Sequence, residues 1–167
     1  VDSTSKISIG CFKLEFIPVN HSIPDTYAVV ITSPVGIILH TADFKIDFNP
    51  VSEKVTDLNR FSEVGNRNVL LMMADSTNAT KEGYSMSEKA VGDSLDNLFR
   101  KASSRIIVAS FASNIHRIQQ ILNLSEKYKK KVCIFGYSMR NNIKKSMELG
   151  YIQVKKGVII EDFEIKN

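Results

Sequence analysis

Val69-Leu70-Leu71-Met72-Met73-Ala74-Asp75-Ser76-Thr77-Asn78 is the hinge on which the chain turns: an apolar run ends abruptly in a string of polar turn formers. A short unbroken apolar run bounded in this way reads as a strand too buried to alternate. Upstream of it the chain reads as strands. Phe12 to Val19 alternates, with Phe12, Leu14 and Phe16 set against Lys13 and Glu15, as a half-buried strand does. Tyr27 to Thr32 and Ile37 to Thr41 are β-branched runs joined through Ser33-Pro34-Val35-Gly36, a connection that predicts a hairpin. Val51 to Glu63 is polar and irregular, with a weak helical pattern at Leu58 and Phe61. Downstream the rhythm changes. Ser87 can cap a helix whose apolar positions are Val91, Leu95, Leu98 and Phe99. Arg105 to Phe111 reads as a strand, and Asn114 opens a helix with Ile115, Ile118, Ile121 and Leu122 on one face. Val132 to Phe135 is the next strand, Ser138 to Leu149 a helix ending at Gly150, and Val158 to Ile160 a last short strand. Strand, helix, strand, helix is the pattern of parallel α/β layering. The fold class is α/β, with a boundary near residue 86 between a β-rich segment, residues 1–86, and an α/β segment, residues 87–167.

At 167 residues, 43% hydrophobic and 24% charged, the chain has the composition of a globular domain with a real core. With four Pro and eight Gly it is neither collagenous nor low-complexity. No apolar run approaches the roughly 20 residues that span a bilayer, and the first residues lack the apolar stretch of a signal peptide. No membrane partner and a cytoplasmic location are therefore expected. Cys11 and Cys133 lie far apart and are expected to be free, buried thiols. The net charge of +4 permits a polyanionic partner without requiring one. The densest basic cluster, Lys127, Lys129, Lys130 and Lys131, falls at the end of a helix, where cations complement the carbonyl end.

The three histidines are the first candidates for chemistry. His21 follows a strand in Asn20-His21-Ser22-Ile23-Pro24-Asp25, and a later strand runs out into His40-Thr41-Ala42-Asp43-Phe44-Lys45. An imidazole and a carboxylate at strand ends are commonly hydrogen-bonded structural groups, but they are also suitable ligands for zinc or manganese. The hairpin between them can return Asp43 to the neighbourhood of His21. Strand alternation sets His40 and Asp43 on opposite faces, so those two are not expected to share an ion. Ser113-Asn114-Ile115-His116-Arg117 follows a strand and opens a helix, a place where free N–H groups can meet a phosphate. The plainer reading, in which Ser113 or Asn114 caps the helix, stands equal to it.

Four runs occur in a fixed order: Val19 to Asp25, His40 to Lys45, Asp75-Ser76-Thr77-Asn78, and Phe111-Ala112-Ser113-Asn114-Ile115-His116-Arg117. Together with Phe135-Gly136-Tyr137-Ser138-Met139 they resemble consecutive motifs of ribonuclease J, of the β-CASP group of the metallo-β-lactamase superfamily. The resemblance runs through essentially the whole chain. It implies part of a metallo-β-lactamase αββα sandwich over residues 1–86, followed by the first part of a parallel α/β β-CASP domain over residues 87–167. It implies that His21 is a metal ligand, that Asp43 bridges two divalent metal ions (zinc first, manganese as the other choice), and that Asp75 orients the group donating a proton to the leaving oxygen. Ser113, Asn114, His116 and Arg117 become candidate RNA contacts.

Two departures accompany the match: Ala42 stands where the family more often has Gly, and Tyr137 where it commonly has Arg. The family's His-x-His-x-Asp-His cluster and its later histidine motifs do not occur in these residues. The expectation is thus an internal piece of a metal-dependent ribonuclease, an endonuclease and 5′-to-3′ exonuclease of RNA processing and decay. The piece itself is expected to be inactive, and the parent to form a homo-oligomer or to pair with a related paralogue. A non-catalytic RNA-binding or assembly module is the competing reading. A lactamase-fold hydrolase of another substrate is a third, disfavoured by the Asp75 motif and the α/β segment.

Overall fold

The computed structural model describes residues 1–51 and 55–165. The chain divides into two compact units, Val1–His21 with Asp25–Ser87, and Ser22–Pro24 with the residues from Glu88 onward.

The first unit is a five-stranded sheet in the order β1-β2-β3-β4-β5. Its strands are β1 (Lys6–Ile9), β2 (Phe12–Pro18), β3 (Tyr27–Ser33), β4 (Gly36–His40) and β5 (Val69–Met73). The first four form an antiparallel meander. Helix α1 (Leu58–Gly65) lies between β4 and β5 in sequence and lets β5 join β4 in parallel. Two-residue turns close the early hairpins. Gly10 takes a φ of 59° at the β1–β2 turn, and beside it Cys11 is exposed, not buried: a hairpin tip faces solvent whatever residue stands there. Pro34 and Val35 connect Ser33 to Gly36. Gly36 is required by its neighbour as well as by the turn, since a Cβ there would lie 2.9 Å from Leu70 Cδ2.

The core of this unit is one face of the sheet, Ile17, Val19, Ala28, Val30 and Leu39, closed by Val64 of α1 and flanked by Phe44 and Phe61. The weak pattern at Leu58 and Phe61 is therefore a real helix, capped by Asp57, whose side chain accepts the Arg60 N–H at 3.0 Å. The Val69–Met73 strand forms as expected, but not buried on both faces. It is the last strand of its sheet, and Leu70, Leu71, Met72 and Met73 are each at least 48% exposed.

The second unit contains α2 (Glu88–Lys101), α3 (Ile115–Lys127), β6 (Val132–Cys133), α4 (Tyr137–Glu148), β7 (Ile159–Ile160) and a 3₁₀ turn at Asp162–Glu164. The strands β6 and β7 pair in parallel, Val132 with Ile159. Cys133, at the end of β6, is a free thiol and only half-buried. Ile115, Ile118, Leu122, Ile143, Ile152 and Val158 form the core of this unit. The spacing that predicts the helix after Asn114 holds, with Ile118 and Leu122 buried one turn apart.

Arg105 to Phe111 is not a strand here. It runs without a ladder partner among the described residues, with Ile107 90% and Phe111 81% exposed. Residues of this segment line a hollow of about 1000 Å³ together with Phe99, Leu122, Val132 and Met139. The apolar content of the segment is right for a strand, but a strand exists only where another pairs with it, and among the described residues the ladder of this unit joins β6 to β7 without it. The buried Ser110 hydroxyl, which has no partner among the described residues, is one consequence.

Candidate active site

Strand direction brings the candidate residues of the first unit to one end of the sheet. β2 and β4 are each antiparallel to β3, and so run the same way, and β5 is parallel to β4. The segments that leave β2, β4 and β5 therefore all emerge at the same end, and they carry His21, Asp43 and Asp75 respectively. The end of parallel strands is where open sheets commonly place ligand sites.

Hydrogen bonds hold the three segments together. Asn20 and Lys45 form an isolated antiparallel bridge, with the Lys45 N–H donating to the Asn20 carbonyl at 2.7 Å. Thr56 fastens both sides of it: its hydroxyl accepts the Asn20 N–H at 2.9 Å and donates to the Lys45 carbonyl at 2.8 Å. Thr41, 1% exposed, does the same between the β4 and β5 exits. Its N–H donates to the Met73 carbonyl at 3.0 Å, and its hydroxyl accepts the Asp75 N–H at 3.0 Å. No metal-binding logic in the sequence points to these threonines. The signal that would have found Thr41 is its place at the end of an apolar strand, where a hydroxyl must be paired if it is buried.

Asp75 is half-buried and its carboxyl is held below the usual carboxylate range. The largest causes are the Thr77 backbone N–H, which donates to its Oδ1 at 2.9 Å, and the Thr77 hydroxyl; burial opposes them, and the Phe44 N–H and the charge of His21 add to the lowering. Asp75 thus touches the Asp43 segment through Phe44 and feels His21 electrostatically. Asp43 itself is exposed and His21 half-buried. The alternation expected between His40 and Asp43 does not apply, because β4 ends at His40 and the chain turns at once. Ala42 adopts a φ of 53°, and the Ala42 N–H donates to His40 Nδ1 at 3.0 Å. His40 is therefore committed to the turn.

As donors for a metal, His21 and Asp43 are right in kind and insufficient in number. No group of three or more His, Cys, Asp or Glu side chains converges on a point among the described residues, whereas a structural or catalytic zinc takes three or four protein ligands. These residues alone do not fit a held ion.

In the second unit, Asn114 caps α3, its side chain accepting the Arg117 N–H at 3.0 Å. The Ile115 and His116 N–H groups donate to the Ser22 carbonyl at 3.1 and 3.5 Å. The first turn of α3 is thus satisfied within the chain. The Arg117 guanidinium is paired twice with Glu88, Nε to Oε1 at 2.7 Å and Nη2 to Oε2 at 2.9 Å. Ser113 is exposed and His116 half-buried. Glu88 is not anticipated by the sequence: it stands 29 residues before its arginine, beyond the reach of any local pattern.

Known proteins resemble the chain along its whole length. The family model for the ribonuclease J β-CASP domain matches residues 103–167. Ribonuclease J of Helicobacter pylori is 41% identical over 165 residues, 99% of this chain and 24% of that protein. Ribonuclease J of Thermus thermophilus is 42% identical over 93% of this chain and 27% of its own length. Ribonuclease J 1 of Streptococcus pyogenes is 41% identical over 100% of this chain and 30% of its own. A crystal structure of a protein of unknown function from Enterococcus faecalis V583 superposes with a TM-score of 0.65 at 16% identity, covering 98% of this chain and 41% of that one; at that identity it speaks for the α/β fold alone. The chain belongs to the ribonuclease J family. It spans about a quarter to a third of the length of these curated relatives.

Proposed function

We propose that these residues serve a metal-dependent ribonuclease acting in the cytoplasm in RNA processing and decay, as an endonuclease and a 5′-to-3′ exonuclease that assembles with further copies or a paralogue. The observation that carries the reading is the convergence of the β2, β4 and β5 exits, with His21, Asp43 and Asp75 at one end of a sheet. The names of the relatives supply the substrate class.

In this reading residues 1–86 are a metallo-β-lactamase portion and residues 87–167 a β-CASP portion. His21 and Asp43 contribute two ligands of a two-metal site, and further ligands come from residues outside this chain. Metal ions held there by His21, Asp43 and the further ligands would supply activated water and offset negative charge on the phosphate. Asp75 is a positioning residue. Its carboxylate is fixed by Thr77 and Phe44, and a fixed carboxylate can orient a neighbouring proton donor. On the β-CASP side Ser113, Asn114, His116 and Arg117 are the candidate RNA contacts, and Asn114 and Arg117 also hold the start of the helix that carries them.

Because two ligands do not retain a metal pair, the chain by itself does not hydrolyse RNA. The test is to incubate it with 5′-monophosphorylated RNA and manganese or zinc, beside a ribonuclease J of full length. Turnover that copurifies with the chain and is lost on His21→Ala would overturn the assignment of the site as incomplete. With two donors where zinc takes three or four, RNA binding without catalysis is the property favoured for this stretch alone.

A further inference from the structure

The α3 end of the second unit carries a charge pattern that neither the site nor helix capping uses. The helix ends in a Schellman turn: the Lys129 N–H donates to the Glu126 carbonyl at 3.2 Å and the Lys130 N–H to the Ser125 carbonyl at 2.8 Å. The residue that must go left-handed in that turn is Lys129, at a φ of 52°. Glycine is the ordinary occupant, because a Cβ in this conformation crowds the following carbonyl oxygen. A cation therefore stands where backbone energetics ask for glycine.

A second loop lies against the first. Lys131 Nζ donates to the Gly157 carbonyl, and Glu126 takes both the Lys155 N–H at 2.7 Å and Lys155 Nζ at 3.3 Å. The two loops place Lys127, Lys129, Lys130, Lys131, Lys155 and Lys156 at one end of α3. Two carboxylates answer them, Asp96 on Lys127 at 2.7 Å and Glu126 on Lys155. Lys130 and Lys131 donate to backbone carbonyls, which leave their charge uncompensated. Lys129 and Lys156 are exposed and have no acidic partner among the described residues. Six cations against two anions leave a surplus of four, equal to the +4 of the entire chain. The half-charge of a helix C-terminus is met by one cation in its last turn, and Lys127 is that cation; the rest repel one another. A polyanion laid across both loops offsets that repulsion.

We propose that this end of α3 is an accessory contact for the phosphodiester backbone of RNA, with Lys129 and Lys156 as its uncommitted cations. The proposal rests on the reading of RNA as the substrate, and it assigns a backbone contact independent of the 5′ end and of the candidate active site. It does not read sequence, since point charges on flexible stems meet phosphates alike on every base.

The test measures binding of the chain to a single-stranded RNA with a 5′-hydroxyl end across a series of salt concentrations. Replacing both cations, Lys129→Glu with Lys156→Glu, is expected to weaken binding by about tenfold or more at low salt. The same change flattens the salt slope by about 1.4, since each phosphate left without its lysine removes about 0.7. Lys129→Gly gives the decisive contrast: it relieves the left-handed strain and so raises the melting temperature, yet it removes a charge and lowers affinity. Damage to the fold cannot produce that pair of opposite signs. Binding of RNA by the lysine variants within about twofold of wild type, with an unchanged slope, overturns the patch and leaves the ribonuclease reading intact. A wild-type chain that binds no RNA at low salt also overturns the patch, whereas the ribonuclease reading is judged separately by turnover of the full-length enzyme.

Discussion

The Thr41 hydroxyl accepts the Asp75 N–H at 3.0 Å while donating to the Ala42 carbonyl at 2.8 Å, at a site where Thr41 is 1% exposed. One buried hydroxyl thus fixes the exits of two parallel strands. Thr41→Val keeps the shape and removes both bonds, leaving the Asp75 N–H without its acceptor; this costs about 1–3 kcal/mol. Thr41→Ser retains the oxygen and is expected to lose well under half as much. Urea unfolding of the two variants checks the difference, and equal losses would assign the effect to packing of the methyl group.

Ala42 occupies the left-handed region at a φ of 53°, a conformation that glycine adopts without the crowding of a Cβ. Ala42→Gly removes a clash of about 1–2 kcal/mol and adds freedom to the unfolded chain that cancels part of the gain. A net gain of about 0.5–1 kcal/mol is expected, read as a higher melting temperature. A lower one would show that the Cβ packs usefully in the turn.

Glu15 on β2 is gripped by Arg67 at 2.7 Å and Arg60 at 3.2 Å. Burial pushes its carboxyl up, but the hydrogen bond and charge of Arg67, with help from Arg60, prevail and hold it below the ordinary 4.5. A lowered folded pKa means that the pairing stabilises the protein above the unfolded value, and that this contribution is lost as pH falls through the folded one. Since the arginines are about a third exposed, the contribution is about 0.5–1 kcal/mol after screening. Glu15→Gln should therefore be less stable than wild type at neutral pH and converge on it as pH falls below 4.5. Parallel stability curves for the two proteins across that window would refute the assignment.

Much of the first unit is legible in the sequence because its information is local. Phe12–Pro18 forms the expected strand, and a Pro-Val turn before Gly36 leaves the hairpin little choice. The alternation of Phe12, Leu14 and Phe16 misjudges the buried face, because the sheet buries Ile17 and Val19 on the other side and leaves Phe12 45% exposed. What cannot be read there is decided by partners. Arg105 to Phe111 has the residues of a strand and no ladder partner among the described residues, and Val69 to Met73 has the residues of a buried strand and lies at an edge. The candidate site divides the same way. His21, Asp43 and Asp75 stand out as chemically apt residues at the ends of apolar runs, whereas the directions of β2, β4 and β5 that gather them are long-range facts. Arg117 looks available for phosphate in the sequence, yet Glu88, in a different helix, holds it.

The ligand and positioning roles assigned to Asp43 and Asp75 separate in a full-length ribonuclease J carrying these residues. Asp43 is exposed and its neighbour Phe44 donates an N–H to Asp75, so the two carboxylates belong to adjoining segments and invite treatment as a single pair of ligands. They differ in what already occupies them. Asp75 uses Oδ1 to accept the Thr77 N–H, an arrangement that Asn reproduces with its own side-chain oxygen. Asp75→Asn should therefore fold normally, with a melting temperature close to wild type, and retain its metal. Its turnover should fall by on the order of 10² or more, because the oriented proton donor loses its anionic partner. Asp43→Asn should instead lose bound metal, since a neutral amide cannot offset the repulsion of two cations. Metal content, turnover and melting temperature measured on both variants decide the matter. Near-normal turnover in Asp75→Asn reduces Asp75 to a turn former, and loss of metal in that variant makes it a ligand.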